Sequence, residues 1–262
     1  REIISWKYLS HPNILPLVGV SMSVDPLCLC ILSEWMPNGN VMQYARSNPE
    51  ANRLRLLSEV VSGVAYLHEL NIVHGDLKGA NVLVDDTGTA RITDFGLMTM
   101  ADLSTVLLSV TPISSVGTFR WMSPELLDPE SFDSNGSSTR ESDCYALGMV
   151  IYEVLTGLRP FHRLCGYVPV SAVLRGERPE KPLDAESLGL SHELWGLVEL
   201  CWSESSSTRP TAGELLDYLS LASRTWVPAP IYPAIWINTE DIADSDSSSS
   251  LGISIASSTR DH

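Results

Sequence analysis

Apolar residues recur along the chain in two rhythms. Leu54, Leu57, Val60, Val61, Val64 and Leu67 return every three or four residues, which predicts a helix over 53–68 with one face on a core. The same period predicts an amphipathic helix over 191–202, and Thr211-Ala212-Gly213-Glu214 carries the capping-box signature of a last helix starting there. From Asp143 to Leu155 nearly every position is apolar, the mark of a helix buried on most sides. Short apolar runs over 14–20 and 27–32 predict a pair of buried strands. The stretch NVLVDDTGTARIT holds two further short runs around Asp85-Asp86-Thr87-Gly88, which is hairpin chemistry. A hairpin returns the chain to where it left, so Asn81, just before it, and Asp94, just after it, become neighbours.

Polar stretches divide what remains. Residues 2–9 suit the end of an amphipathic helix, which His11-Pro12-Asn13 breaks. Pro37-Asn38-Gly39-Asn40 is a turn or linker and the first boundary between substructures. Residues 97–116, rich in Ser and Thr without a period, predict a long surface loop. Beyond Ser223 the chain turns to proline and then to DSDSSSS, which lacks the apolar density to order itself.

Charge and cysteine usage narrow the function. With 32 Asp and Glu against 17 Lys and Arg the net charge is −15, and no basic cluster is present. That balance argues against nucleic acid or an anionic membrane as partner, because both are bound by clustered cations. The longest apolar stretch, 146–158, is interrupted by Glu153 and is too short to span a bilayer. Cys28, Cys30, Cys144, Cys165 and Cys201 are odd in number and irregular in spacing, so they read as buried free thiols and not as a disulfide framework. With no signal-like start, the expected location is cytoplasmic. The oligomeric state is left open.

The chemistry flanks the hairpin. His74-Gly75-Asp76-Leu77-Lys78-Gly79-Ala80-Asn81 precedes it and Asp94-Phe95-Gly96 follows it. Together they put two carboxylates, one carboxamide and one ammonium around a single spot. That grouping suits phosphoryl transfer, where the work is positioning and charge neutralisation. Asp94 and Asn81 offer hard oxygens for Mg²⁺, Asp76 can accept the proton of an incoming hydroxyl, and Lys78 can face the transferring charge. The blander reading is that these residues only cap loops and form turns, as Asn and Asp often do.

On these motifs the chain resembles the protein kinase family. The catalytic-loop pattern H-R-D-L-K-x-x-N is matched except at its Arg, and D-F-G is intact. Ser123-Pro124-Glu125 stands where the family has A-P-E, and Gly117 to Met122, with Thr118, looks like the loop that seats the substrate's reacting residue. By the same resemblance Asp143 holds the catalytic loop's backbone amides and Arg209 pairs with Glu125. His74 and Phe95 join a hydrophobic column with Trp6 and Leu17. Ser33 to Met36 looks like the gatekeeper and hinge, which implies Glu34, Met36 and Leu83 around the adenine. Lys78 and the stretch GTFRWMSPE are similar to Ser/Thr-specific members, particularly the tyrosine-kinase-like group. The resemblance implies an α+β, bilobal fold: the rear of the small lobe over 1–37, a mostly helical large lobe over 38–223, and a disordered tail over 224–262. It also implies ATP and Mg²⁺ as cofactors and a protein hydroxyl as acceptor.

Three departures qualify it. Glu2 aligns with the helix Glu that pairs with the ATP-binding Lys, but no Gly-rich loop and no strand Lys precede it. The expectation is therefore a fragment or truncated form of a kinase, with apolar faces exposed on 14–20 and 27–32; the rival is a pseudokinase or interaction module that holds ATP poorly. Gly75 replaces the usual Arg, which removes an anchor for phosphates on Ser104, Thr105, Ser109, Thr111, Ser114 or Ser115. Finally, H-G-D also resembles small-molecule phosphotransferases of the aminoglycoside and choline kinase kind, although Gly96, Ser123-Pro124-Glu125 and Arg209 favour a protein substrate.

Overall fold

A computed structural model describes residues 6–22, 29–95 and 118–226. Its first sheet is an antiparallel ribbon, β1 (Leu17–Met22) against β2 (Leu29–Ser33), with Leu17 opposite Ser33 and Val20 opposite Ile31. After the turn at Pro37 and Asn38 comes α1 (Val41–Ser47), whose start is fixed by a reciprocal capping box between Asn40 and Gln43. The periodic apolar stretch forms α2 (Arg53–Glu69). A second ribbon pairs β3 (Val82–Val84) with β4 (Ala90–Ile92), Val82 facing Ile92. Its turn is organised by the Asp85 carboxylate, which accepts from the backbone N–H of Thr87 and Thr89 and from the Arg91 guanidinium.

The remainder is helical: α3 (Pro124–Leu127), α4 (Arg140–Thr156), α5 (Val168–Leu174), α6 (His192–Cys201) and α7 (Ala212–Thr225). α4 is the centre, with every residue from Ser142 to Thr156 buried. α2 packs against both α4 and α7, and its start is tied to the end of α7 by Asn52 Nδ2 donating to the Ser223 carbonyl at 2.8 Å. α6 approaches α4 closely at Gly148, where an added Cβ would lie 2.7 Å from Cys201 Cβ and 2.7 Å from Trp202 Nε1.

The first two strands differ from their expected bounds, and the reason is local. Ile14 and Leu15 are buried but do not join the ribbon; Ile14 bridges to Ile92 and Leu15 N donates to the Ile92 carbonyl at 2.9 Å. Nor are the strands buried as expected. Val18 is 66% exposed and Val20 44% exposed, and Leu32 opposite Gly19 is open as well, so several apolar side chains of the ribbon stand uncovered among the described residues. Burial of both strands is thus corrected, while the second expectation, apolar surface left open on these runs, agrees with the exposure of these side chains. Three short helices, α1, α3 and α5, escape a periodic reading because seven, four and seven residues give too few repeats. α7 continues through Thr225, past the expected start of the tail at 224.

Cys144 and Cys201 are buried free thiols, but Cys165 is exposed, which corrects the expectation of uniform burial. The expected helix end over 2–9 falls largely, and the loop over 97–116 entirely, outside the described residues, as does the chain from 227. No helix among the described residues is long and apolar enough to cross a membrane.

The close approach at Gly148 is testable. Gly148→Ala forces α6 away from α4, an overpacking that costs about 1–3 kcal/mol. The expected fall in melting temperature is about 2–4 °C per kcal/mol for a chain of this size, read by circular dichroism. An unchanged melting curve contradicts the packing.

Candidate active site

The segment between α2 and β3 has almost no regular structure, so its buried amides need partners from elsewhere. Asp143, in the first turn of α4, supplies them. Its Oδ2 accepts from His74 N at 2.8 Å and its Oδ1 from Gly75 N at 2.9 Å, while His68 Nε2 lies 2.8 Å from Oδ2. A carboxylate at this end of a helix is also favoured by the helix dipole. Gly75 takes the left-handed φ of 81°, a conformation in which any side chain is strained.

His74 passes the restraint on. Asp76 N donates to His74 Nδ1 at 3.2 Å, so that nitrogen is an acceptor and the proton sits on Nε2, which donates to the Thr93 carbonyl at 3.0 Å. Burial pushes the imidazole below its ordinary range, in keeping with a neutral ring. The ring meets Phe95 edge-on with centroids 6.2 Å apart, and Phe95 in turn packs on Trp6 at 4.9 Å. Leu17 is half-buried against the same core.

Around Asp76 the polar groups converge. Its Oδ2 accepts from Lys78 Nζ at 2.8 Å and from Asn81 Nδ2 at 2.9 Å, and Asn81 Nδ2 also donates to the Asp76 carbonyl at 2.8 Å. Lys78 Nζ reaches Thr118 Oγ1 as well, at 3.1 Å. Asp76 Oδ1 is buried and has no hydrogen-bond partner. Across the hairpin, Thr93 N donates to the Asn81 carbonyl at 3.0 Å, which carries the chain to Asp94 beside this cluster. Asp94 adopts φ 58°; part of the residue is open to solvent, while the carboxyl itself lies against the protein. The protein enclosing its carboxyl raises its pKa, and the Asp76 carboxylate adds to the rise, although His74 and Lys78 pull the other way.

This donor set fits Mg²⁺ in one particular way. With the Asn81 nitrogen committed to Asp76, the amide oxygen is the end that can face an ion, alongside the Asp94 carboxylate. Among the described residues no group of three or more His, Cys, Asp and Glu could hold an ion by itself. Two hard oxygens need supplementing by water and by phosphate oxygens, the usual arrangement for Mg²⁺ on a nucleotide.

Towards the hinge, Met36 is buried, Glu34 is exposed and Leu83 is half-buried. A bridge between Asn40 and Leu83, with Val84 N donating to the Gly39 carbonyl at 2.9 Å, lays β3 against the segment that follows Met36. Glu2 and Gly96 lie outside the described residues.

Below the site, Arg209 and Glu125 form a bidentate pair at 2.6 and 2.8 Å. The Arg209 side chain is fully buried, donates also to the carbonyls of Ser203 and Glu141, and lies over the Tyr145 ring. Burial works to raise the Glu125 carboxyl, but the Arg209 hydrogen bonds and charge outweigh it and hold the group below its usual range. Sequence reading missed Glu153 as a participant. It is buried in α4 and accepts from Gly79 N at 2.9 Å and Trp121 Nε1 at 3.0 Å. The signal available was a lone carboxylate inside an apolar helix.

Comparison with known proteins gives a consistent picture. The family model described as protein kinase domain matches residues 1–219. The chain is 30% identical over 224 residues to Serine/threonine-protein kinase STY46 of Arabidopsis thaliana, covering 84% of this chain and 36% of that protein. It is 31% identical over 227 residues to Serine/threonine/tyrosine-protein kinase HT1 of the same plant, covering 83% and 53% respectively. With Serine/threonine-protein kinase CTR1, also of Arabidopsis thaliana, it shares 32% identity over 239 residues, 88% of this chain and 27% of that one. The chain thus spans between about a quarter and a half of the length of these relatives.

Arg209→Ala leaves the Glu125 carboxylate half-enclosed without its cation, and the expected loss is about 3 kcal/mol or more in urea denaturation at neutral pH. The depressed Glu125 pKa means that its contribution is present above the ordinary value of 4.5 and fades as pH falls through the folded-state value. The gap between parent and variant should therefore narrow in acid. Equal urea midpoints at neutral pH contradict the pairing.

Proposed function

The chain belongs to the protein kinase family, and we propose that it transfers the γ-phosphoryl group of ATP to a serine or threonine hydroxyl of a protein, with Asp76 as the base. The observation that carries this reading is the buried, unpartnered Oδ1 of Asp76. A buried acceptor left without a donor is costly, and a substrate hydroxyl entering beside it supplies the donor. The other oxygen is held by Lys78 and Asn81, so the carboxylate cannot swing away.

The remaining roles follow from chemistry and placement. Lys78, steadied by Asp76 and Thr118, stands where it can face the charge on the transferring group. Asn81 through its amide oxygen and Asp94 through its carboxylate would hold Mg²⁺. Bound Mg·ATP supplies the phosphoryl group and the charge that neutralises its oxygens. Asp94 would offer that carboxylate as a hard anionic oxygen donor to the cation. At the hinge the Met36 carbonyl is occupied by Gly39 N at 3.1 Å, which leaves the Met36 N–H and the Glu34 carbonyl as the backbone groups for adenine, with Leu83 beneath the ring. The lobes divide after this hinge, near residue 37.

Serine or threonine as acceptor is supported by Lys78 in the catalytic loop and by the names of the relatives, whose likeness is to the tyrosine-kinase-like group. A cytoplasmic location is supported by the free thiols of Cys144, Cys165 and Cys201.

Incubation of the protein with Mg·ATP and casein, followed by phosphoamino-acid analysis, should show label on Ser or Thr. Asp76→Asn should lower transfer by about 10²–10⁴-fold, the range expected for loss of a general base. Asp94→Asn should abolish Mg²⁺-dependent ATP binding in a thermal-shift titration. Full activity of Asp76→Asn would sink the assignment.

A further inference from the structure

Glu153 occupies the last third of α4 and is 5% exposed, among the buried apolar residues Val150, Ile151, Val154 and Leu155. Burying a carboxylate there is unfavourable unless it is bonded. Its two donors come from two different loops. Gly79 directly follows Lys78 in the loop that carries Asp76, and Trp121 ends the short turn Thr118–Trp121 that begins with Thr118. Those loops meet again nearer the reaction centre, where Lys78 Nζ donates to Thr118 Oγ1. One contact at the top and one carboxylate beneath therefore close a ring between the loop of the base and the loop expected to seat the substrate.

We propose that Glu153 is a positioning residue: by accepting from Gly79 and Trp121 at once, it fixes the two loops in register so that Asp76, Lys78 and Thr118 stay within reach of one another.

An independent observation supports the bridge. A Cβ on Gly79 would lie 2.9 Å from Glu153 Oε2, 3.0 Å from Glu153 Cδ and 2.9 Å from Met42 Cγ of α1. Gly79 is not among the glycines with left-handed φ, so glycine is needed here for close approach alone. The room that Gly79 provides is occupied by the Glu153 carboxyl.

The groups around Glu153 make this grip sensitive to charge. Lys78 from the catalytic loop and Arg159 from the segment after α4 favour its ionised form. Arg53 of α2 is bonded to the Leu155 carbonyl, and Arg120 to the carbonyls of Pro160, Phe161 and Leu164. α6 faces this helix with Cys201, followed by Trp202. Burial outweighs the Gly79 and Trp121 bonds and the two cations together, and pushes the Glu153 carboxyl up to about 7. Protonated, it still accepts both bonds; ionised, it accepts them as charge-assisted bonds, roughly twice as strong. The register is therefore firmer above neutral pH than below it.

The catalytic consequence rests on the phosphotransfer reading, but the bridge can be measured separately. With the full 262-residue chain ¹⁵N-labelled at tryptophan, the Trp121 indole N–H resonance is assigned by its loss in Trp121→Phe. Between about pH 5.5 and about pH 8.5 it should titrate with a midpoint near 7, and Glu153→Gln, which keeps an acceptor oxygen but cannot ionise, should abolish that titration. In casein phosphorylation the ratio of kcat for parent over Glu153→Gln should be near one at about pH 6 and about tenfold at about pH 8. A merely structural glutamate would give the same ratio at both. A flat Trp121 resonance, one that titrates alike in Glu153→Gln, or a pH-independent ratio overturns the proposal. Absence of transfer at every pH overturns the phosphotransfer reading, and the Trp121 titration then decides the bridge by itself.

Discussion

The site depends on a single buried carboxylate. Asp143 sits where a helix presents unpaired N–H groups, and it answers both the helix dipole and three donors from α2 and the loop after it. That loop cannot satisfy its own amides, because it is neither helix nor sheet before Gly79. Its shape is therefore borrowed from α4. The position then passes along a chain of bonds: Asp143 fixes the His74 backbone, the His74 ring accepts from Asp76 N and donates to Thr93, and Asp76 holds Lys78 and Asn81. Each link uses a neutral or paired group, so the chain runs through the interior without a stranded charge.

α4 supports the same region at several other points. Near its start the Tyr145 ring lies under Arg209, whose guanidinium ties Glu125 of α3 to the carbonyl of Glu141. Farther along, Glu153 receives the two loops that flank Asp76. Such groups add little net stability compared with apolar residues of the same size, because desolvation offsets most of what they gain. Their effect is on geometry: two irregular loops and a short helix each have one place to dock on α4. The kinase fold of this chain is α+β with small sheets, and its helical part is organised around this one element.

What could be read from sequence divides along physical lines. Long elements announced themselves, and α2 and α4 lie within a few residues of their expected bounds, α2 because its one apolar face repeats over four turns and α4 because its run of apolar residues is too long for a strand. The hairpin followed from Asp85 and Gly88, and with it the adjacency of residues 81 and 93–94, which the Thr93 to Asn81 bond displays. Exposure of Val18 and Val20 could be inferred only from what such strands should pack against, since an apolar run does not say which face is covered. Glu153 was hidden for the opposite reason. Its partners are a backbone amide and an indole distant in sequence, and no pattern of residue types encodes a bond to a glycine N–H.

The two glycines that bracket Asp76 and Lys78 show how differently one residue type can serve a loop. At Gly75 the backbone is left-handed, which costs an ordinary side chain about 1–2 kcal/mol, so glycine relieves a strain that the family's arginine would have to bear. At Gly79 the backbone is ordinary and the space is not, because Glu153 and Met42 fill it. The replacement of arginine by glycine is therefore no simple loss. It removes a guanidinium that could grip a phosphate, and it leaves a loop whose relaxed conformation already matches the Asp143 grip. A loop shaped in this way has its geometry set by residues 68–81 and by α4, and the guanidinium it lacks is not required to hold Asp76 where it stands.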